Sequence, residues 1–440
     1  MKSYLAVAVS AAAISIIASP SSAQVGNPAS PTVGRPLSTP PAGPPAPVAQ
    51  PVAAPRTGPL PTRLTLAQAI EEAAARSPAI VAAQADLAAA EARVRQAGVR
   101  SNPELSFEVE NFAGTGELRG LRSTEATLAV NQRLDLGGRR SARVSAAQAE
   151  LTVQQLRLAI ARADLSQQVR EQFARAATAR ERLSQATENV ERARRFARIA
   201  QILVDAGRDP PLRALRARSA LAQAEAEREA AQADELAARS SLAALFGVRE
   251  PITEVTGDLL DLTPQLVNPE NSLEVRLSDA ERLAAEAILR QQLAERRLDP
   301  AVGVGVRHIR ESGDFGLVAG VSMPLQVFDR NRGNIDAARA GVAAAQSRRA
   351  TAVAGVTARA RNAIANVQAA RRRVEALEAT AVPEAAEALQ LATRSYAEGR
   401  ATLLELLDAQ NAYTVTRTAL TDARLALALA TAELGRIAAR

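Results

Sequence analysis

Few residues in this chain could make or break a bond. There is no cysteine, His308 is the single histidine, no Gly-rich phosphate loop joins a strand to a helix, and no paired-ligand metal motif occurs. No catalytic residue, cofactor or metal ligand is therefore expected. The charged residues whose spacing is informative belong to surfaces. Glu104, Glu108 and Glu110 alternate with Leu105, Phe107 and Val109, and Arg307 shares a face with Gly303 and Gly305, opposite Val302, Val304 and Val306. Period-two alternation of this kind marks half-buried strands, apolar on one face and polar on the other. Taken alone, these strands fit either a transmembrane barrel or a small soluble hairpin packed on a helix.

The elements that must hold these strands are helices of unusual length. From 139 to 206 there is neither Gly nor Pro, about 68 residues or roughly 100 Å at 1.5 Å per residue. Apolar residues fall seven apart at Val144, Leu151, Leu158 and Leu165, step by four to Val169, then resume at Ala176, Leu183 and Val190. A four-residue insertion in a heptad pattern unwinds a supercoil locally, so that neighbouring helices run straighter. The pattern returns about 191 residues later, with Ile335, Val342, Val356, Ala360, Val367 and Val374 in register and Arg349 the one break. Two equivalent halves are expected, each a helix, a β-hairpin and two long helices. The first covers 64–247 and the second 277–440, with a connector over 248–276. Gly341, Gly355 and Pro383 are expected to interrupt the long helix of the second half.

Residues 1–23 read as a secretory signal peptide, with a lysine, an apolar run and small residues before Gln24. Residues 24–63, rich in Pro and Ala, read as a disordered linker. No stretch has 18 uncharged apolar residues, so a membrane span would have to be a β-barrel. Aromatics make up 2% of the chain, which suits close helix packing better than a compact core. The formal net charge is +7, expected as arginines spread over solvated helix faces; no nucleic-acid partner is implied.

Two strand-to-helix junctions carry a resemblance. The first reads Leu136-Gly137-Gly138-Arg139-Arg140, the second Pro324-Leu325-Gln326-Val327-Phe328-Asp329-Arg330-Asn331. With the order of parts over nearly all of 64–435, they resemble the outer-membrane efflux family typified by TolC, most closely its cobalt–zinc–cadmium branch. The resemblance implies a mainly α protein with a transmembrane β part. Three chains would share a twelve-stranded barrel in the outer membrane, four strands from each, above a periplasmic helical barrel. It also implies a passive conduit, not an enzyme, working with a periplasmic adaptor and an inner-membrane RND pump to export divalent heavy metals. Rival readings keep the channel but change its cargo to drugs, solvents or secreted protein, or make the chain a periplasmic coiled-coil adaptor.

The same resemblance assigns roles. Leu105, Phe107, Val109, Leu128, Val130, Val304 and Leu317 would meet lipid, and Glu104, Glu108, Glu110 and Arg307 would face the lumen, favouring cations or simply keeping the pore wet. At the periplasmic turn, Tyr396 and Arg400 would belong to the gate, Tyr396 through bonds between helices that hold the entrance shut, and Glu405 and Asp408 would ring the constriction, unless they are ordinary solvated charges. Arg213, in the equivalent turn of the first half, would pair with Glu405 or Asp408. Gly138 and its neighbours would let the chain bend from barrel to tube, placing Arg139 and Arg140 beside lipid headgroups.

Overall fold

The computed structural model describes residues 56–248, 250, 252–257 and 268–439. The expected signal peptide and most of the expected linker lie outside these residues. The part of the linker that is described is held: the Arg56 backbone N–H donates to Ala75 O at 3.0 Å, and its side chain meets Glu72 at 2.8 Å. Strand β1 (Arg63–Leu64) pairs in parallel with β4 (Glu254–Val255), tying the start of the fold to the connector.

Helix α1 (Leu66–Arg76) begins at a capping box, in which Thr65 and Gln68 satisfy each other's backbone N–H groups. Helix α2 (Pro78–Ala97) follows at once, its first position occupied by proline, which loses nothing there because that N–H has no partner inside a helix. Strands β2 (Glu104–Glu110) and β3 (Glu125–Arg133) form the first hairpin; α3 (Arg139–Asp205) and α4 (Pro211–Leu245) complete the first half. The second half runs α5 (Leu273–Glu295), β5 (Ala301–Ile309), β6 (Asp314–Ser322), α6 (Arg332–Ala376), α7 (Val382–Ala397) and α8 (Leu403–Ala438). Capped by Ser272, α5 starts four residues before the expected boundary at 277.

The 67-residue α3 is the spine. It packs against α4, α2, α5, α8 and α1, while α6 packs against α5 and α8. Its seam is buried at Leu158, Leu165, Val169, Ala176 and Val190 and half-buried at Val144, Leu151 and Leu183. The repeat of that seam is buried in α6 at Ile335, Val356, Ala360, Val367 and Val374. Its break is explained by a partner: the Arg349 guanidinium meets Asp279 of α5 at 2.6 Å. Gly341 and Gly355 do not interrupt α6. The break comes at a π turn, Leu377–Ala381, just before Pro383, whose missing N–H cannot continue the i to i−4 ladder.

The four longer strands make one antiparallel sheet in the order β2-β3-β5-β6. Register carries the alternation across all four. Phe107, Leu128, Val306 and Leu317 form one cross-strand row, and Glu108, Thr127, Arg307 and Gly316 form the next, on the opposite face. Among the described residues β2 and β6 are edges without partners.

Candidate functional site

The apolar rows of the sheet are bare: Phe107 is 67% and Leu317 92% exposed, and Leu105, Val130, Val304 and Val321 are exposed as well. A sheet face of this composition needs lipid or protein against it. No described helix is long and apolar enough to cross a membrane. His308 lies on the apolar face at the end of β5, its ring 4.8 Å from that of Phe315.

On the polar face, Glu110 stands directly opposite Glu125 across the β2–β3 ladder, an arrangement that repels unless neutralised. Arg307 supplies the neutralising charge. Its guanidinium reaches Glu110 at 3.0 Å and Glu125 at 2.8 Å, while its Nε donates to Thr127 Oγ1 at 2.9 Å. Glu104 and Glu108 keep their charge unpaired among the described residues. Glu125 was missed from sequence, although it extends the alternation of Thr127, Ala129 and Asn131 by one step. Glycine at 305 is a packing requirement: a Cβ there would lie 2.6 Å from that of Ala129 on the neighbouring strand.

The junctions work differently from expectation. Gly138 caps α3 with φ +73°, and Asn331 caps α6 with φ +54°. Both are left-handed, which glycine adopts freely and asparagine tolerates better than most residues. Asn331 is held there by Nδ2 donating to Gln292 O at 2.9 Å and by its own N–H donating to Asp329 Oδ1 at 2.9 Å. Arg139 and Arg140 do not reach out to headgroups. Arg139 donates to Glu295 O (2.8 Å) and Arg297 O (2.6 Å) at the end of α5, and Arg140 donates to Gly98 O (2.7 Å) at the end of α2. Cations there satisfy the orphan carbonyls and oppose the negative helix ends. Phe328 is 99% exposed, with Asp329 and Arg330 exposed beside it.

At the far end, the α3–α4 and α7–α8 turns abut. Tyr396 is 1% exposed and packs with Phe196, Ala200, Leu403 and Leu406. Its hydroxyl donates to Asp209 Oδ2 at 3.2 Å, across 187 residues of sequence. Burial, then the charge and hydrogen bond of Asp209, push the phenol up to about 12. Asp209 also pairs with Arg213, one helical turn along. This corrects the expected pairing of Arg213 with Glu405 or Asp408: the nearer carboxylate takes the guanidinium. Glu405 is engaged too. It closes a capping box with Thr402, accepting from its N–H at 2.6 Å and its hydroxyl at 3.0 Å, and these bonds hold its carboxyl below the ordinary value. The Thr402-Leu403-Leu404-Glu405 spacing is itself a capping signature that was legible but not used. Among the described residues Asp408 remains exposed and unpaired, and Arg400 pairs only with neighbouring Glu398 at 2.9 Å. Asp209, the hub of the turn, was missed: its i,i+4 spacing to Arg213 was legible, but its second partner, Tyr396, comes from the other half. Among the described residues no three His, Cys, Asp or Glu gather as a metal ion would need.

A sheet apolar on one face and charged on the other, continuous with a helix about 100 Å long, has the parts of a channel wall. The chain belongs to the outer membrane efflux protein family, whose model matches residues 69–248 and 306–440. It is an outer-membrane protein with a periplasmic helical part. Among its relatives, the cobalt-zinc-cadmium resistance protein CzcC of Cupriavidus metallidurans is 33% identical over 79% of this chain and 83% of its own. The nickel-cobalt-cadmium resistance protein NccC of Alcaligenes xylosoxydans xylosoxydans is 30% identical over 68% of this chain and 69% of its own. The solved structure of the channel CusC shares the fold, with a TM-score of 0.71 and 18% identity over 84% of this chain and 90% of that one.

Proposed function

We propose that three copies of this chain close a twelve-stranded barrel and a helical tube. Together they form the outer-membrane channel of a tripartite RND-type efflux system that passes divalent cations of the cobalt, zinc, cadmium and nickel class. The reading is carried by the likeness to CzcC over most of both chains, and the names of CzcC and NccC supply the cargo class. The unpaired edges of β2 and β6 leave room for strands from other copies.

In this reading the chain does no covalent work. A pump and a periplasmic adaptor deliver the ions. The polar sheet face, with four glutamates and Asp314 against Arg133 and Arg307, lowers the cost of a cation in the pore. The buried Tyr396–Asp209–Arg213 contact holds the two turns together and keeps the periplasmic end closed. Deleting the gene should lower tolerance to cobalt, zinc, cadmium and nickel and leave tolerance to dyes and detergents unchanged. The opposite pattern would make the cargo organic.

A further inference from the structure

The charge on this chain is not evenly spread. Helix α6 carries nine arginines against Asp336 and Glu375, a surplus equal to the whole chain's +7. Two of the nine pair within the chain: Arg339 with Asp336 at 3.0 Å and Arg349 with Asp279 at 2.6 Å. Arg371, Arg372 and Arg373 are consecutive, exposed, and without an ion-pair partner among the described residues. Consecutive side chains point about 100° apart on a helix, so Arg371 falls beside buried Val367 and Val374, while Arg372 and Arg373 flank the opposite, solvent-facing side.

A surface of the right sign lies at the opposite edge of the same layer of helices. α4 packs along α3, α3 along α8, and α8 along α6 and α7, so α4 and α6 are the outer members. The middle of α4 holds Glu225, Glu227, Glu229, Asp234 and Glu235, of which Glu225, Glu229 and Glu235 pair within the chain with Arg194, Arg228 and Arg239. Asp234 is exposed and unpaired among the described residues, and Glu227 accepts only from Gln223. Heights agree. Asp234 lies about 24 residues above the α3–α4 turn and Arg372 about 26 above the α7–α8 turn, a mismatch of roughly 3 Å. Each helix also presents exposed alanines at helical spacing beside these charges: Ala226, Ala230, Ala233 and Ala237 on α4; Ala358, Ala365 and Ala369 on α6. Small residues allow two helices to approach closely.

We infer that α6 of one copy seats on α4 of the next, alanine row against alanine row, with Arg372 and Arg373 meeting Asp234 and Glu227. The inference rests on the trimeric reading above and names the residues that hold it. The partner is a second copy, because the complementary charge, height and row of small residues all lie on this chain. Charge pairing of this kind also fixes register between otherwise uniform alanine-rich helices.

Charge reversal tests it on the full-length protein in detergent, with trimer retained on unheated gels across a urea series as the readout. Asp234→Arg alone, and Arg372→Asp with Arg373→Asp, should each lower retained trimer about tenfold at the wild-type midpoint. Combining all three should restore it to within about twofold. Losses that simply add, or no loss in either variant, would overturn the pairing. The absence of cysteine gives a second readout on an otherwise unaltered surface: Ala237→Cys with Ala369→Cys should form a reducible cross-link between copies on oxidation. Intact trimers without cross-links would also overturn it. A wild-type protein that never runs as a trimer would instead overturn the trimeric reading beneath it.

Discussion

Replacing Tyr396 by phenylalanine removes one oxygen and leaves the buried ring in place among Phe196, Ala200, Leu403 and Leu406. What is lost is the hydrogen bond to Asp209 at 3.2 Å. A bond to a charged acceptor contributes about 1.5–3 kcal/mol net, and this length places it near the lower figure. Asp209 keeps Arg213, so no carboxylate is left buried and unpaired. Each turn contact then weakens by about 1.5 kcal/mol, roughly tenfold in its equilibrium. If three copies open together, the closed state loses about 4–5 kcal/mol, on the order of a thousandfold.

Planar-bilayer recordings of the purified channel measure this as open probability and conductance, which should both rise in Tyr396→Phe. pH offers an internal control. The packed phenol titrates near 12 instead of 10, so its contribution is fully present below pH 10 and lost as pH rises toward 12. Wild-type openings should therefore be flat from pH 6 to 9 and approach those of Tyr396→Phe above about pH 11. An unchanged open probability in Tyr396→Phe, alongside opening in Asp209→Asn, would show that the phenol does not hold the turn.

Arg307→Ala should raise cation selectivity, read as a shift in reversal potential under a salt gradient, because it leaves Arg133 as the remaining strand arginine on a face with four glutamates and Asp314. The Glu405 cap should hold above pH 4.5 and fail as pH falls through its lowered value; faster hydrogen exchange at the start of α8 in acid, and at neutral pH in Glu405→Ala, checks this. Leu317→Arg, at the most exposed apolar position of β6, should cost about 2–4 kcal/mol in lipid and reduce the amount of protein in the outer-membrane fraction. Asn331→Ala should lower the thermal midpoint more than Gly138→Ala, since it loses the bonds to Gln292 as well as the tolerated left-handed backbone.

Sequence reading did well where the cause is local. Alternation along 104–110 is a property of pleated backbone, so the apolar and acidic faces of β2 could be assigned before any partner strand was known. The uninterrupted run from 139 to 206 and the break beside Pro383 likewise depend on residues within a turn of one another. The seam of α3 and its echo in α6 were visible because burial repeats with the period of the helix.

Partner choice was another matter. An arginine reaches several ångströms in many directions, and which carboxylate or carbonyl it finds is settled only when helices are placed. Arg213 took Asp209 instead of Glu405, and Arg139 and Arg140 turned to the ends of α5 and α2 instead of to headgroups. Arg307 joined two strands that the chain keeps apart by about 180 residues. By itself, then, the sequence determined the periodic and helix-stopping features, the two-fold repeat and the family, because these depend on neighbours along the chain. Tertiary structure alone decided which charges are spent inside the chain and which, such as Arg372 and Arg373, remain for another surface, because that depends on distances no spacing in the sequence encodes.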